Sequence, residues 1–360
     1  MHHARGLKAV ASGLIALLIG GAGGMVFYIL HLPLPWTLGS ISATATVAAI
    51  GAPWRMPRAA QSVAMPIVGV IAGSAFTPAV ISSATQWWDA ILLVTIFSAA
   101  ITGLGYAYFR AIGRFDQPTA FFASSPGGLG EMTLLGGSLG GDMRSLVLVH
   151  SARILLAVFL IPLILQVLLG HPVGRVSPFA ATASTLSYAD ATLLIFCAIG
   201  GFALSRILRY PTGALVLSLA LSAAIHGTGL SSATPPPWVS AAMQVLIGAV
   251  AGARFADVGW HGTTRIVSVA LIWGCTIVAI VIGAATLSSW LLDHTFVVML
   301  LAMAPGGMVE MTVMTFALGV EVALVVTCQI VRILMVVTLM PPTYRLLFPP
   351  KRDANGDRIQ

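Results

Sequence analysis

The chain has 360 residues, of which 58% are hydrophobic and only 8% charged, with a formal net charge of +7. So little charge cannot coat a soluble domain of this size, and a mean hydropathy of +0.97 points to an all-α polytopic membrane protein. No polar stretch is long enough for a separate soluble domain and no GxxxxGK[ST] loop is present, which excludes a fused nucleotide-driven motor.

The first apolar run, Val10–Leu30, follows Arg5 and Lys8. It is long and lacks a small-x-small cleavage end, so it reads as the first span, not a signal peptide. The basic residues are scattered, which fits retention in cytoplasmic loops and argues against direct contact with nucleic acid. Pro35-Trp36 opens the second span, and Trp36, Trp87, Trp88 and Trp238 are expected as interfacial anchors. Gly69-x3-Gly73 reads as a helix-packing face. Next, Gln117–Gly140 is interrupted by Pro126-Gly127-Gly128, and Arg153 lies about ten residues into the span that starts near Met143.

The whole pattern then returns. Pro126-Gly127-Gly128 recurs 179 residues on as Pro305-Gly306-Gly307, and Glu131-Met132-Thr133 as Glu310-Met311-Thr312. Gly140 matches Gly319, Asp142 matches Glu321, Arg153 matches Arg332, and Gly69, Gly73 and Phe76 match Gly248, Gly252 and Phe255. Leu and Val matches come free in an apolar chain, but Glu and Arg matches do not. The chain therefore divides into a first membrane repeat (1–170), a linker (171–188), a second repeat (189–348) and a cytoplasmic tail (349–360). Pro211-Thr212 is the expected start of the second span in the second repeat.

The basic residues set the orientation. Arg55, Arg58, Arg110 and Arg114 mark the first half, whereas Arg254 and Arg265 occupy the opposite positions of the second. The positive-inside rule then gives inverted-topology repeats. Inversion requires an odd number of crossings per half. The expectation is five transmembrane helices plus one re-entrant or broken-helix hairpin in each, ten spans in all. Both termini are then cytoplasmic, which Arg345, Lys351 and Arg352 support. An arm of about 10 residues rises roughly 15 Å, half the hydrocarbon thickness, so each hairpin tip falls near the midplane. A fully crossing broken helix is the competing geometry.

Those tips are the candidate substrate site. Pro126, Gly127, Gly128 and their copies Pro305, Gly306, Gly307 break the helix and permit close approach of a ligand. Helix N–H groups beyond the break face the cavity. Glu131 and Glu310 fall in the first turn of the second arm, where they either cap that helix or pair with an Arg, or bind a coupling H⁺ or Na⁺ or a substrate cation. Arg153 and Arg332 lie at midplane depth, three residues from His150 and Gln329 respectively, on a shared face. A guanidinium suits a carboxylate or phosphate; a structural Glu–Arg pair in each half is the alternative. Thr133, Thr312, Ser124 and Ser125 supply hydroxyls. His31, His150, His171, His226, His261 and His294 are scattered singly, and Cys197, Cys275 and Cys328 are far apart. No metal site, cofactor or disulfide framework is expected.

The duplicated PGG-x2-EMT followed by Arg153-Ile154-Leu155 and Arg332-Ile333-Leu334, with paired GxxxG-x2-F segments upstream, resembles the AbrB-type bacterial membrane proteins. The resemblance runs from about Leu14 to Leu347. Members are often labelled ammonia monooxygenase or regulator of gene expression, and are distinct from the small soluble DNA-binding regulator of the same name. The resemblance implies a multi-pass protein of the bacterial inner membrane. Two departures from symmetry, Gly136-Gly137 against Thr315-Phe316 and His150 against Gln329, imply different roles for the two hairpins. The sequence reading is a secondary-active transporter of a small organic anion or zwitterion, coupled to H⁺ or Na⁺. Its partners are substrate, coupling ion and lipid bilayer, with homo-oligomerisation left open. A membrane sensor of gene expression is the alternative, and a monooxygenase-like enzyme a weaker one.

Overall fold

Among the residues it describes (2–50, 58–170, 174, 186–208, 213–253 and 264–349), the computed structural model of the chain contains helices and no strand. Arg55, His171, Pro211-Thr212, Arg254, Phe255, His261, Lys351 and Arg352 lie outside the described residues, with most of the 171–188 linker and all but Pro349 of the tail. The first half comprises α1 (His2–Ile29), α2 (Pro35–Ala49), α3 (Arg58–Gly73), a short α4 (Pro78–Ser82), α5 (Trp88–Ala111), α6 (Gln117–Ser124), α7 (Leu129–Ser138) and α8 (Met143–Leu169). The second comprises α9 (Tyr188–Leu208), α10 (Gly213–Gly227), α11 (Pro237–Ala253), α12 (Thr264–Leu291), α13 (Phe296–Met303), α14 (Met308–Leu318) and α15 (Val322–Leu347).

The repeat is visible in the helix boundaries. The pair α6 and α13 starts and ends 179 residues apart, and the starts of α14 and α15 follow those of α7 and α8 by the same interval. Upstream, the end of α10 follows that of α2 by 178 residues, one residue off the later offset. Six described helices (α1, α5, α8, α9, α12 and α15) are long and apolar enough to cross a bilayer. The described parts of α2, α3, α10 and α11 have 15 to 17 residues, against the roughly 20 that a full span needs.

Small residues let the halves interlock. A Cβ on Gly69 would stand 2.4 Å from the Leu215 carbonyl oxygen, and one on Gly73 2.6 Å from that of Leu219. Reciprocally, Gly248 and Gly252 meet the carbonyls of Thr37 and Ile41 at 2.7 and 2.8 Å. The expected packing faces are therefore used, each against the second helix of the other half. Hydroxyls stitch the same seams, Ser222 donating to the Val70 carbonyl (3.0 Å) and Ser40 to that of Val245 (2.8 Å).

The equivalent helices α5 and α12 lie side by side and run in opposite directions. Near one end the Tyr108 hydroxyl donates to the Val269 carbonyl (2.9 Å) and Arg265 to that of Gly113 (3.1 Å). At the other, His294 meets Asp89 at 3.3 Å.

Packing sorts the helices into two bodies, each drawn from both halves. One holds α1–α3 and α9–α11; the other holds α5–α8 and α12–α15. They meet chiefly where α14 packs on α3 and α11, and α15 on α3. Both helix breaks belong to the second body. Its first break is a folded-back hairpin: the Asp142 amide, just past α7, donates to the Thr119 hydroxyl in the first turn of α6 (2.7 Å). Of the expected anchors, Trp88 and Trp238 are exposed whereas Trp36 and Trp87 are buried. Trp36 stacks on Tyr28 and Trp87 packs edge-on to Phe76, because both sit at helix junctions instead of on an outer face.

Gly248→Leu should part α11 from α2, with a cost of about 1–3 kcal/mol from overpacking. Gly283→Leu, where nothing lies within 4 Å of the added Cβ, should be nearly neutral. Thermal midpoints of the two variants in detergent check the contrast; equal midpoints refute the seam.

Candidate substrate site at two braced helix breaks

At each break the chain leaves the helix for four residues. Ser125 and Ala304, the C-caps of α6 and α13, are extended (ψ 133° and 132°). Gly128 and Gly307, the N-caps of α7 and α14, repeat that geometry (ψ 146° and 148°). Pro126, Gly127, Pro305 and Gly306 are buried. None of the four glycines has positive φ, so the motif needs glycine for space. A Cβ on Gly127 would press on Met132 and on Val336 of the other half, and one on Gly306 on Met311. A Cβ on Gly128 would stand 2.1 Å from Glu131 Oε2, and one on Gly307 2.1 Å from Glu310 Oε2.

The two carboxylates thus fold back over their own N-capping glycines. Each is the third residue of its helix, where a Glu in a capping box reaches back toward the N-cap and favours the positive end of the helix. Neither makes an ion pair with Arg153 or Arg332 among the described residues. The structural Glu–Arg pair weighed from the sequence is not what the fold builds.

The arginines brace the breaks instead. Arg153, 1% exposed, donates from Nη1 to the Ser125 carbonyl (2.6 Å) and from Nη2 to that of Gly127 (2.8 Å). Arg332, 2% exposed, donates from Nη1 to the Ala304 carbonyl (2.7 Å) and from Nη2 to Gln329 Oε1. Each charge-assisted bond is worth about 1.5–3 kcal/mol and satisfies carbonyls that the ended helix leaves open. The cation also sits at the negative end of α6 or α13. Arg153 on α8 and Arg332 on α15 belong to the same packed body. Two cations are therefore buried in one body, and Nε of each lacks a partner.

The remaining site residues divide unevenly. Thr133 and Thr312 are buried with unpartnered hydroxyls, and so is Ser125; Ser124 donates to the Phe121 carbonyl. Both polar atoms of the Gln329 side chain are bonded, Oε1 by Arg332 and Nε2 to the Leu301 carbonyl at 2.9 Å. His150 occupies the matching place and faces the Phe122 carbonyl, but neither ring nitrogen makes an aligned bond. No group of three or more His, Cys, Asp or Glu among the described residues is placed to hold a metal.

The sequence reading missed what the arginines bind. Backbone carbonyls carry no residue signature, and the only trace was the equal 28-residue interval from Ser125 to Arg153 and from Ala304 to Arg332. The sequence reading also gave Asp142 no structural role. This residue caps α8, accepting from the amides of Arg144 and Ser145 and from the Ser145 hydroxyl (2.5 Å), whereas Glu321 makes no such bond at α15.

The Ser145 hydroxyl holds the Asp142 carboxyl below its ordinary range, against a smaller opposing effect of burial. A lowered value in the folded state means the stabilisation is full above the unfolded pKa, about 4, and is lost as pH falls through the folded value. Asp142→Ala should cost about 0.5–2 kcal/mol at neutral pH, and the gap to the unmodified protein should narrow below about pH 4. Thermal melts across that range test it, and a gap independent of pH would exclude the charged cap.

Comparison with known proteins places this architecture. The family model described as Transition state regulatory protein AbrB matches residues 36–348. A Bacillus subtilis protein named "Uncharacterized protein YhjN" is 27% identical, with 91% of each chain covered. An Escherichia coli protein named "Putative regulator AbrB" is 25% identical, covering 91% of this chain and 94% of its own. The family match takes in both braced breaks and both glycine seams, and the chain belongs to the AbrB family of multi-helix proteins.

Proposed function

We propose that this protein is a secondary-active carrier of a small organic anion or zwitterion, with its site between the two breaks. The observation that carries the reading is the pair of buried guanidiniums, Arg153 and Arg332, without a carboxylate partner. They lie beside backbone that is irregular in both halves. In a bilayer such backbone is tolerated where protein or a water-filled cavity surrounds it, and unpaired buried charge marks function by default. Gly128 and Gly307 provide no side-chain cap, which leaves first-turn N–H groups of α7 and α14 for the anion.

The opposed run of α5 and α12 supports inverted repeats, and the folded-back α6–α7 pair supports re-entrant hairpins over crossing broken helices. Alternating access then follows if the body holding both breaks moves against α1–α3 and α9–α11, across the narrow contact of α14 and α15 with α3 and α11. On this reading Pro126, Gly127, Gly128, Thr133, His150 and Arg153 form one wall. Pro305, Gly306, Gly307, Thr312, Gln329 and Arg332 form the other. Glu131 and Glu310, half-buried and folded over their N-caps, take up the coupling H⁺ or Na⁺. With both termini cytoplasmic, the chain resides in the bacterial inner membrane.

Since Arg153 and Arg332 also brace the breaks, their removal tests folding and binding together, and the glutamates make the cleaner test. In proteoliposomes, an imposed proton or Na⁺ gradient should drive accumulation of a small radiolabelled carboxylate. Glu131→Gln with Glu310→Gln should abolish accumulation while sparing one-for-one exchange. Gradient-driven uptake unchanged in the double variant would falsify the coupling role. A name of the Escherichia coli relative speaks of regulation; a sensor with the same site would bind the carboxylate without accumulating it.

A further inference from the structure

The two breaks share a frame but differ in what they leave unmet. In the second, position 304 is an alanine, and Gln329 spends its amide between the Leu301 carbonyl and Arg332. In the first, position 125 is a serine whose hydroxyl has no partner, and His150, 0% exposed, turns toward the Phe122 carbonyl without an aligned bond, which leaves its other ring nitrogen with nothing to meet. A buried polar group left without a partner is destabilising, and folded proteins keep few of them. Here two such side chains occur in one half and have no counterpart in the other.

We infer that the first break receives the polar end of the substrate, and that His150 selects a carboxylate carrying a hydroxyl or amino group on the neighbouring carbon. This rests on the carrier reading above. The donor inventory leads to it. Arg153 Nε–H and the Ser125 hydroxyl can donate to a carboxylate, which only accepts. A neutral imidazole presents one N–H and one lone pair. A bare carboxylate leaves that lone pair unmet, whereas an adjacent hydroxyl or amine donates to it. A site built to bond such a group rejects the analogue that lacks it, because its own polar atom is left buried and unpaired. Gln329 is less suited to discriminate in this way, since its amide nitrogen and oxygen each already hold a protein partner. The second break then serves mainly to brace, with Thr312 and Arg332 Nε in a supporting role.

The test uses the full chain in detergent and reads binding from the ligand-dependent rise in thermal midpoint, with propionate, lactate and alanine as probes. Lactate or alanine should bind at least about tenfold more tightly than propionate. His150→Gln should bring that ratio to within about twofold, while Gln329→His should leave it intact. The second half already accommodates Gln at this place, so the variant is expected to fold, and its midpoint without ligand reports that directly. Ser125→Ala, a change that mimics Ala304, should weaken all three probes where Ala304→Ser does not, and it decides the matter if His150→Gln fails to fold. Propionate equal to the other two overturns the inference and leaves the carrier standing. Discrimination that survives His150→Gln overturns the role of His150. No binding by any of the three overturns both the inference and the carboxylate site beneath it.

Discussion

A helix that stops inside a protein leaves carbonyls with nothing to bond, and in an apolar surround no water comes to their aid. Here each stopped helix finds a guanidinium. Arg153 reaches the carbonyls of Ser125 and Gly127, and Arg332 that of Ala304. The bond works in both directions, since it also gives a buried cation the oxygen partners without which its burial is costly. Every other property of the site depends on it: the extended Pro-Gly-Gly segment, the start of α7 and α14, and the Glu that closes over each N-cap.

The halves are not two domains laid side by side. Each gives its first three helices to one body and its last four to the other, so the covalent repeat and the packed unit do not coincide. Glycine seams hold the first body, where backbone touches backbone and a single added methyl group has nowhere to go. The second body is held more by bulky side chains, including Phe109, Phe121, Phe122 and Trp273. Rigid packing within each body and a narrow contact between them is the arrangement in which one can shift against the other without rebuilding either core.

On the proposed reading, duplication lets one site be both braced and specific. One copy can keep its polar groups satisfied, as Gln329 does, and carry the mechanical role. The other is then free to hold unmet groups, as His150 and Ser125 do, at a stability cost that the braced copy helps the fold to tolerate. Symmetry of frame with asymmetry of contents follows from two copies under different demands.

Much of this was legible in the residues. Membrane class followed from composition, the repeat from charged and glycine positions that chance does not align, and the breaks from Pro-Gly-Gly, because those residues end helices wherever they stand. The GxxxG faces were correctly read as packing surfaces, since small residues act through the backbone they expose. What the residues could not say was which partner each one met. That Gly69 faces α10 of the other half, that Arg153 binds carbonyls and not Glu131, and that Trp36 and Trp87 are buried all depend on how distant segments meet. Carbonyl acceptors are present at every residue, so only tertiary structure decides which of them a buried guanidinium will find.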